Sequence, residues 1–260
     1  MKSLKPTFLK PTIVRLLNRC GLDLRDQSRD ILALQALPAG PTSGQIVELI
    51  GTQGVGKTTL NNALYHPLRA RWFFRGDLRY TGPTSVTGHA LEALHRDIYF
   101  RKLEAVNATQ PDSWKTLTVC RQMSNVICES LLLATHRLPR GFILDEGLFK
   151  NFAEEVLACD AQAAAPLWQN RAFVHICARD PAFAVARRQG RSDKRQQGGM
   201  FQHEETAAQL QAQVLRDVGF YERIIEQAAA LGRPAITVYV EDGMADNIAQ
   251  ILDFEKTLQL

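Results

Sequence analysis

The chain has 260 residues, 45% of them apolar and 22% charged, and carries a formal net charge of +4 at pH 7. These values are ordinary for a soluble globular protein, suit one α/β domain with an appendage, and call for no specific nucleic acid as partner. Five cysteines without a C-x-x-C pair or a neighbouring histidine pattern argue against a disulfide framework and structural zinc and point to a reducing, cytoplasmic setting, and no apolar run reaches the length of a membrane span.

Between Lys2 and Leu22 lie five basic residues and no acidic one. Ile13, Leu16, Leu17 and Cys20 share one helical face, with Arg15 and Arg19 off it. The pattern predicts a helix packed on the domain. Weak docking on a membrane surface or a protein partner through residues 2–22 is an alternative, and so is an organellar transit peptide. A secretory signal is disfavoured, because charge breaks a short apolar run. Residues 24–37 read as a second helix, and Pro38-Ala-Gly-Pro41-Thr-Ser-Gly44 as a linker. Residues 1–41 therefore form a helical N-terminal extension and linker, separate from a nucleotide-binding domain over 42–260.

Gln45 to Ile50 is a short, apolar, β-branched strand. Gly51-Thr-Gln-Gly-Val-Gly-Lys57-Thr58-Thr59 follows it and fits Gly-x-x-x-x-Gly-Lys-[Ser/Thr], the phosphate-binding P-loop. Thr58 to Tyr65 then reads as a helix ending before Pro67. Strand, glycine-rich turn and helix N-terminus together make an anion cradle of backbone N–H groups aided by the helix dipole. Gly51, Gly54 and Gly56 let the backbone take positive φ close to the phosphates. With Val55, Lys57, Thr58 and Thr59 they are the expected contacts to a nucleoside triphosphate. Lys57 reaches the terminal phosphates and is expected to face solvent and ligand rather than core. The Thr58 hydroxyl is an expected Mg²⁺ ligand.

Arg71–Arg75 reads as a second strand and Gly76–Gly88 as a loop. His89–Val106 and Ser113–Arg137 read as long helices. Gly141–Asp145 is a buried-type strand; Phe149–Cys159 and Ala161–Gln169 are helical. Arg171–Ala178 is a strand, Pro181–Gln189 a helix, Glu204–Leu231 a long helix, Ala235–Val240 the last strand and Met244–Leu252 the closing helix. Alternation of strand and helix implies a parallel sheet of about five strands covered on both faces, the three-layer α/β/α architecture of P-loop NTPases.

Ligands of open α/β sheets sit at the carboxyl ends of strands. Asp145 ends its strand beside the P-loop strand, where it could serve Mg²⁺ directly or through water. Glu146 follows, readable as a general base for an acceptor hydroxyl or as a helix N-terminal acid. Arg187, Arg191 and Arg195 recur every four residues in a basic cluster after the fourth strand. On a mobile segment they would close over transferring phosphates as a lid, with Gln196-Gln-Gly-Gly199 supplying flexibility. On the acceptor side Arg75, Asp77, Arg79 and Tyr80 share a loop, and His95, Arg96, Asp97, Tyr99 and Arg101 share a helix. Individually they read as surface charges and core edge; together they suggest a polar pocket. His136 and His175 read as residues without ligand duty.

The order of P-loop, Asp-Glu-Gly, arginine segment, Phe220-Tyr-Glu-Arg-Ile-Ile225 and Val238-Tyr-Val-Glu-Asp242 resembles the small P-loop kinases, the nucleoside and nucleoside-monophosphate kinases among them, over roughly residues 45–255. The resemblance implies ATP held with Mg²⁺ by Lys57 and Thr58, metal or acceptor service by Asp145 or Glu146, a lid of Arg187, Arg191 and Arg195, and adenine near Glu241-Asp242-Gly243. It implies an acceptor bound between the helices of 89–137. No Asp-Gly-Phe-Pro-Arg or Asp-Arg-Tyr run is present, so the match does not fix the acceptor. The Asn/Thr-Lys-x-Asp run of GTPases and the Leu-Ser-Gly-Gly signature of ABC-type ATPases are absent too. The expected activity is phosphoryl transfer from ATP to a small molecule, to a hydroxyl in preference to a phosphate. The alternatives are a kinase for a sugar or other non-nucleotide acceptor, and a nucleotide-switched regulatory or scaffold ATPase.

Overall fold

The computed structural model describes residues 32–33, 45–79, 90–109, 116–117, 119–120, 126–137, 140–196 and 206–258. The expected helix within 2–22, most of the helix expected over 24–37, the linker at 38–44, loop residues 80–88 including Tyr80, part of the helix expected over 113–137 and the glycines at 198–199 lie outside them.

In chain order the described elements begin with β1 (Leu32–Ala33), β2 (Ile46–Ile50), α1 (Lys57–Leu68), β3 (Trp72–Phe74), a 3-10 turn (Arg75–Asp77) and β4 (Leu78–Arg79). Then come α2 (Ala90–Thr109), α3 (Cys128–Thr135), β5 (Gly141–Leu144), α4 (Leu148–Asn151), α5 (Ala153–Leu157), α6 (Ala161–Trp168) and β6 (Arg171–Cys177). The chain closes with α7 (Pro181–Gln196), α8 (Ala207–Ala230), β7 (Ala235–Tyr239), a 3-10 turn (Val240–Asp242) and α9 (Met244–Thr257).

Five strands form one parallel sheet in the order β3-β5-β2-β6-β7. Parallel neighbours need crossover connections, and helices supply them on both faces, which is why every residue of β2 is buried. On one face Val47, Leu49, Val174 and Ile176 pack with Leu60 and Leu64 of α1 and Ile251 of α9. On the other, Ile50 and Phe173 pack with Ile98 of α2, Phe149 of α4, Trp168 of α6 and Ile224 of α8. Each such fully buried side chain contributes roughly 1.5–3 kcal/mol. The arrangement is the expected three-layer α/β/α architecture, with β2 and its loop in the middle of the sheet.

The sheet is also bridged from edge to edge. Glu255, on the helix that follows edge strand β7, accepts from the Trp72 indole Nε1 and from Arg71 Nη2, each at 2.7 Å, at the start of the opposite edge strand.

Several boundaries differ from expectation. Helix α1 runs past Tyr65 to Leu68 with Pro67 inside its last turn, where the absent N–H removes a single bond. Leu32–Ala33, expected within a helix, is a strand paired in parallel with Leu78–Arg79. Leu78–Arg79 was expected in a loop. The helix expected over 149–159 is two, α4 and α5, broken at Phe152 (φ −131°, ψ 34°). Helix α7 does not stop at Gln189 but continues to Gln196, its later residues being mostly good helix formers. Helix α8 starts at Ala207, fixed by a reciprocal cap between Thr206 and Gln209, and α9 runs on to Thr257.

Candidate functional site

The loop after β2 has the backbone of an anion cradle. Gly51, Gly54 and Gly56 have φ of 140°, 96° and 112°. A Cβ on Gly51 would overlap the Ile176 carbonyl of β6, and one on Gly54 would come within 3.1 Å of Ala184 O and Arg188 Cγ on α7. The glycines thus serve two close approaches, to the neighbouring protein and to an incoming phosphate. Gly56 offers no side chain to cap α1, so the first N–H groups of that helix remain for an anion. Thr58 and Thr59 are exposed in its first turn. Val55 differs: its side chain is fully buried and its N–H bonds Thr52 O at 3.4 Å.

Lys57 does not face solvent as expected. Only 7% of it is exposed. Its Nζ donates to Gly51 O at 2.5 Å and Thr52 O at 2.8 Å, so the ammonium folds back on the loop. Burial, and then the charge of Lys150, lowers its pKa to about 7, against the opposing pull of Glu146, Asp217 and Asp145.

The acids follow β5, which pairs directly with β2. Asp145 lies one residue past the strand and Glu146 two. Burial and the neighbouring Glu146 raise the Asp145 pKa, so the site favours a nearby cation. Glu146 is held by Lys150 one helical turn on, at 2.5 Å. Asn151 Nδ2 donates to the carbonyls of Glu146 and Gly147 at 3.0 and 2.9 Å, fixing the turn from behind. The exposed Thr58 hydroxyl and the Asp145 carboxylate are hard oxygen donors. They fit Mg²⁺, which binds through one or two protein oxygens and takes the rest from phosphates and water. Among the described residues no group of three or more His, Cys, Asp and Glu gathers as an all-protein metal cage.

Helix α7 lies against the loop from the other side. Arg187 Nη1 stands 3.6 Å from the Cβ position of Gly56, and its guanidinium lies over the Phe183 ring at 5.3 Å. Arg191 and Arg195 continue the same helix by their backbone, and their side chains lie outside what is described. The arginines therefore belong to a continuous helix seated on the P-loop, not to a segment following a short one. Asp242 pairs with Arg179 at 2.6 Å, and Glu241 accepts from the Arg179 N–H at 2.9 Å, so the expected adenine loop is tied to the end of β6.

Residues that the sequence reading passed over complete the surroundings. Arg188 donates to Gln213 of α8 at 3.0 Å. Asp217, one turn further along α8, is raised in pKa by burial, with Arg188 the strongest opposing charge. His175, read as having no ligand duty, is 2% exposed and lies against Tyr221 with ring centroids 6.1 Å apart. Burial, and then Lys57, lowers its pKa to about 4, and its Nε2 has no hydrogen-bond partner among the described residues. The Glu146–Lys150 spacing was a visible signal for that pair, whereas these residues need the topology to bring them near.

On the side expected for an acceptor, Arg75 pairs with Glu129 at 3.1 Å. Burial raises the Glu129 pKa to about 7, against the charge of Arg75. His95 and Tyr99 are buried on α2, whereas Arg96 is exposed. Asp97 and Arg101 form an exposed pair with each other at 2.9 Å.

No family model and no curated protein matches the chain. Among solved structures it is similar to a deoxyadenosine kinase from M. mycoides with bound dCTP, at 14% identity and a TM-score of 0.38 over 82% of this chain and 100% of that one. It is similar to a gluconokinase from Sinorhizobium meliloti 1021, at 14% identity and 0.37 over 84% and 100%. A shikimate kinase from Acinetobacter baumannii in complex with shikimate gives 14% identity and 0.42 over 84% and 97%. All three are named kinases of small molecules. At that distance the likeness bears on neither activity nor substrate, which are read from this chain's own residues. No helix among the described residues is long and apolar enough to cross a membrane.

Proposed function

We propose that this protein is an ATP-dependent phosphotransferase that acts on a hydroxyl group of a small molecule in the cytoplasm. One observation carries the reading. The buried Lys57 sits in a positive-φ glycine nest with Glu146, Asp217 and Asp145 near enough to shape its titration, and Arg187 stands at Gly56 on the other side. Phosphoryl transfer asks a protein mainly for placement and charge neutralisation, and this cluster is suited to both.

In this reading the loop N–H groups cradle the β- and γ-phosphates. Lys57 turns from the Gly51 and Thr52 carbonyls to the phosphate oxygens, and Arg187, with Arg191 and Arg195 further along α7, offsets the charge that spreads over the γ-phosphoryl group. Thr58 and Asp145, the latter directly or through water, would hold Mg²⁺, which would supply further charge neutralisation. Glu146 accepts the proton of the acceptor hydroxyl as its oxygen bonds to the γ-phosphorus. The bond from that phosphorus to the β-phosphate bridging oxygen breaks, and ADP leaves. Lys150 holds the Glu146 carboxylate in place until the acceptor arrives. The acceptor enters from the side of α2 and α3, where Arg75 and Glu129 meet.

The test is ATP consumption with Mg²⁺ across a panel of nucleosides, sugars, sugar acids and nucleoside monophosphates. Strong stimulation by one hydroxyl acceptor, with a phosphorylated product, supports the proposal. Slow turnover stimulated only by a protein or a lipid surface replaces it with a nucleotide-operated switch, in which residues 2–22 would dock the partner.

A further inference from the structure

A buried and multiply bonded carboxylate lies beneath the proposed site and takes no part in the chemistry above. Glu48 is fully buried in the middle of β2, and its Oε2 accepts from Arg171 Nη1 at 3.0 Å. Its Oε1 accepts from the Lys150 N–H at 2.9 Å, and the N–H of Phe149 also bonds the carboxylate. Gly147, at the N-cap of α4, has no side chain to cap that helix. The Glu48 carboxylate, 102 residues before Lys150, supplies the cap instead. The fit is tight: a Cβ on Gly147 would overlap the Glu48 carboxylate. The backbone there, at φ −80° and ψ −168°, suits any residue, so only Glu48 demands glycine.

The turn held in this way is the one that carries Asp145 and Glu146. The far side of the pair leads elsewhere. Arg171 Nη2 donates to Ser130 Oγ at 3.0 Å, Ser130 meets His95 Nε2 at 3.1 Å, and His95 Nδ1 meets Leu91 O at 2.8 Å. The network therefore runs from α2, on the acceptor side, through α3 and the start of β6 to the acid turn.

We propose that Glu48 is a positioning residue, which through its contact with Gly147 and the N–H of Lys150 sets where Asp145 and Glu146 stand relative to the P-loop. The inference rests on the kinase reading for what those acids do, but its geometry is independent of the acceptor.

Gly147→Ala tests it. The variant keeps the Glu48–Arg171 pair and an allowed backbone, and presses a methyl group into the carboxylate. Affinity for a non-hydrolysable ATP analogue, measured by calorimetry in EDTA, reports on the loop and Lys57 and should stay within about twofold of the parent chain. The gain in affinity on adding Mg²⁺ reports on Asp145 and should fall about tenfold or more, the scale of changes behind a metal ligand. In turnover, kcat should fall and KM for Mg²⁺-bound ATP should rise in step with the lost Mg²⁺ effect. Glu48→Asp combined with Gly147→Ala shortens the acid, makes room for the methyl group, and should restore much of the Mg²⁺ effect. An unchanged Mg²⁺ effect in Gly147→Ala overturns the inference. So does a double variant no better than the single one, or failure of both to fold. If the parent chain shows no gain with Mg²⁺, the kinase reading falls and takes the inference with it; if the parent gains and Gly147→Ala gains equally, only the inference falls.

Discussion

Lys57 donates to the carbonyl oxygen of Gly51, 2.5 Å away and six residues back along its own loop. The ammonium is therefore occupied by the structure that presents it, and a ligand must exchange those bonds for phosphate oxygens. Burial makes the arrangement costly, because an ammonium withdrawn from water and facing Lys150 is held in its charged form with difficulty.

Lys57→Met should abolish phosphoryl transfer and stabilise the fold. Unfolded, the lysine keeps its proton up to about pH 10.5, and folded only up to about 7. Below pH 7 the charged side chain opposes folding in full, and between about 7 and 10.5 the unfolded chain holds more protons, so stability rises with pH. Thermal unfolding should show the variant above the parent in Tm at pH 6, with the gap closing toward pH 10. A lower Tm at pH 6 would show that the two carbonyl bonds outweigh the burial.

Nucleotide binding should take up a proton. At pH 8 most of the free protein holds Lys57 neutral, whereas a triphosphate favours the ammonium. Calorimetry with ADP at pH 8, in two buffers of different ionisation enthalpy, should give an uptake of about one proton, less at pH 6, and none for Lys57→Met. Equal heats in both buffers at pH 8 would contradict the lowered pKa.

Glu146→Gln and Arg187→Ala separate the two acceptor classes. A hydroxyl acceptor gains from a base, so Glu146→Gln should lower kcat about a hundredfold or more. A phosphate acceptor needs no base, and Glu146→Gln would then cost little. Arg187→Ala should lower kcat about a hundredfold in either case, because it removes charge neutralisation from the transferring group. Mild effects from both would remove the two residues from the reacting centre.

Glu129→Gln should flatten the acid side of the stability profile. The carboxyl pKa rises from 4.5 to about 7 in the fold, so the neutral acid stabilises fully below 4.5 and that contribution is lost as pH climbs through 7. Between pH 5 and 8 the parent chain should lose Tm and the glutamine variant should lose less. The amide oxygen still accepts from Arg75, so the contact survives. Parallel profiles would refute the raised pKa.

The sheet could be read from the chain because its strands are apolar runs between helical stretches, and the loop because Gly51-x-x-x-x-Gly56-Lys57-Thr58 stands between a strand and a helix. Lys57 was misplaced for a physical reason. The motif specifies what the amine meets in a complex, but not that it can fold back on the carbonyls of Gly51 and Thr52. Glu48 was invisible as a partner, since one acid in an apolar strand gives no hint of an arginine 123 residues on. The residues after Gln189 were expected as a mobile arginine segment, because their basic run gives no hint that Ala184 and Arg188 of the same helix lie against Gly54.

Glu255, which joins the last described helix to the indole of Trp72 and the guanidinium of Arg71, also sets an order of assembly. Domains emerge from the ribosome N-terminal end first. The P-loop and β3 are thus made long before the residue that satisfies the Trp72 N–H, and a buried donor without its acceptor costs about 1–3 kcal/mol. Until position 255 clears the exit tunnel, that edge of the sheet stays unsatisfied. The edge strand β3, two places from the cradle strand β2 in the sheet, is therefore completed only after a residue made 183 positions later.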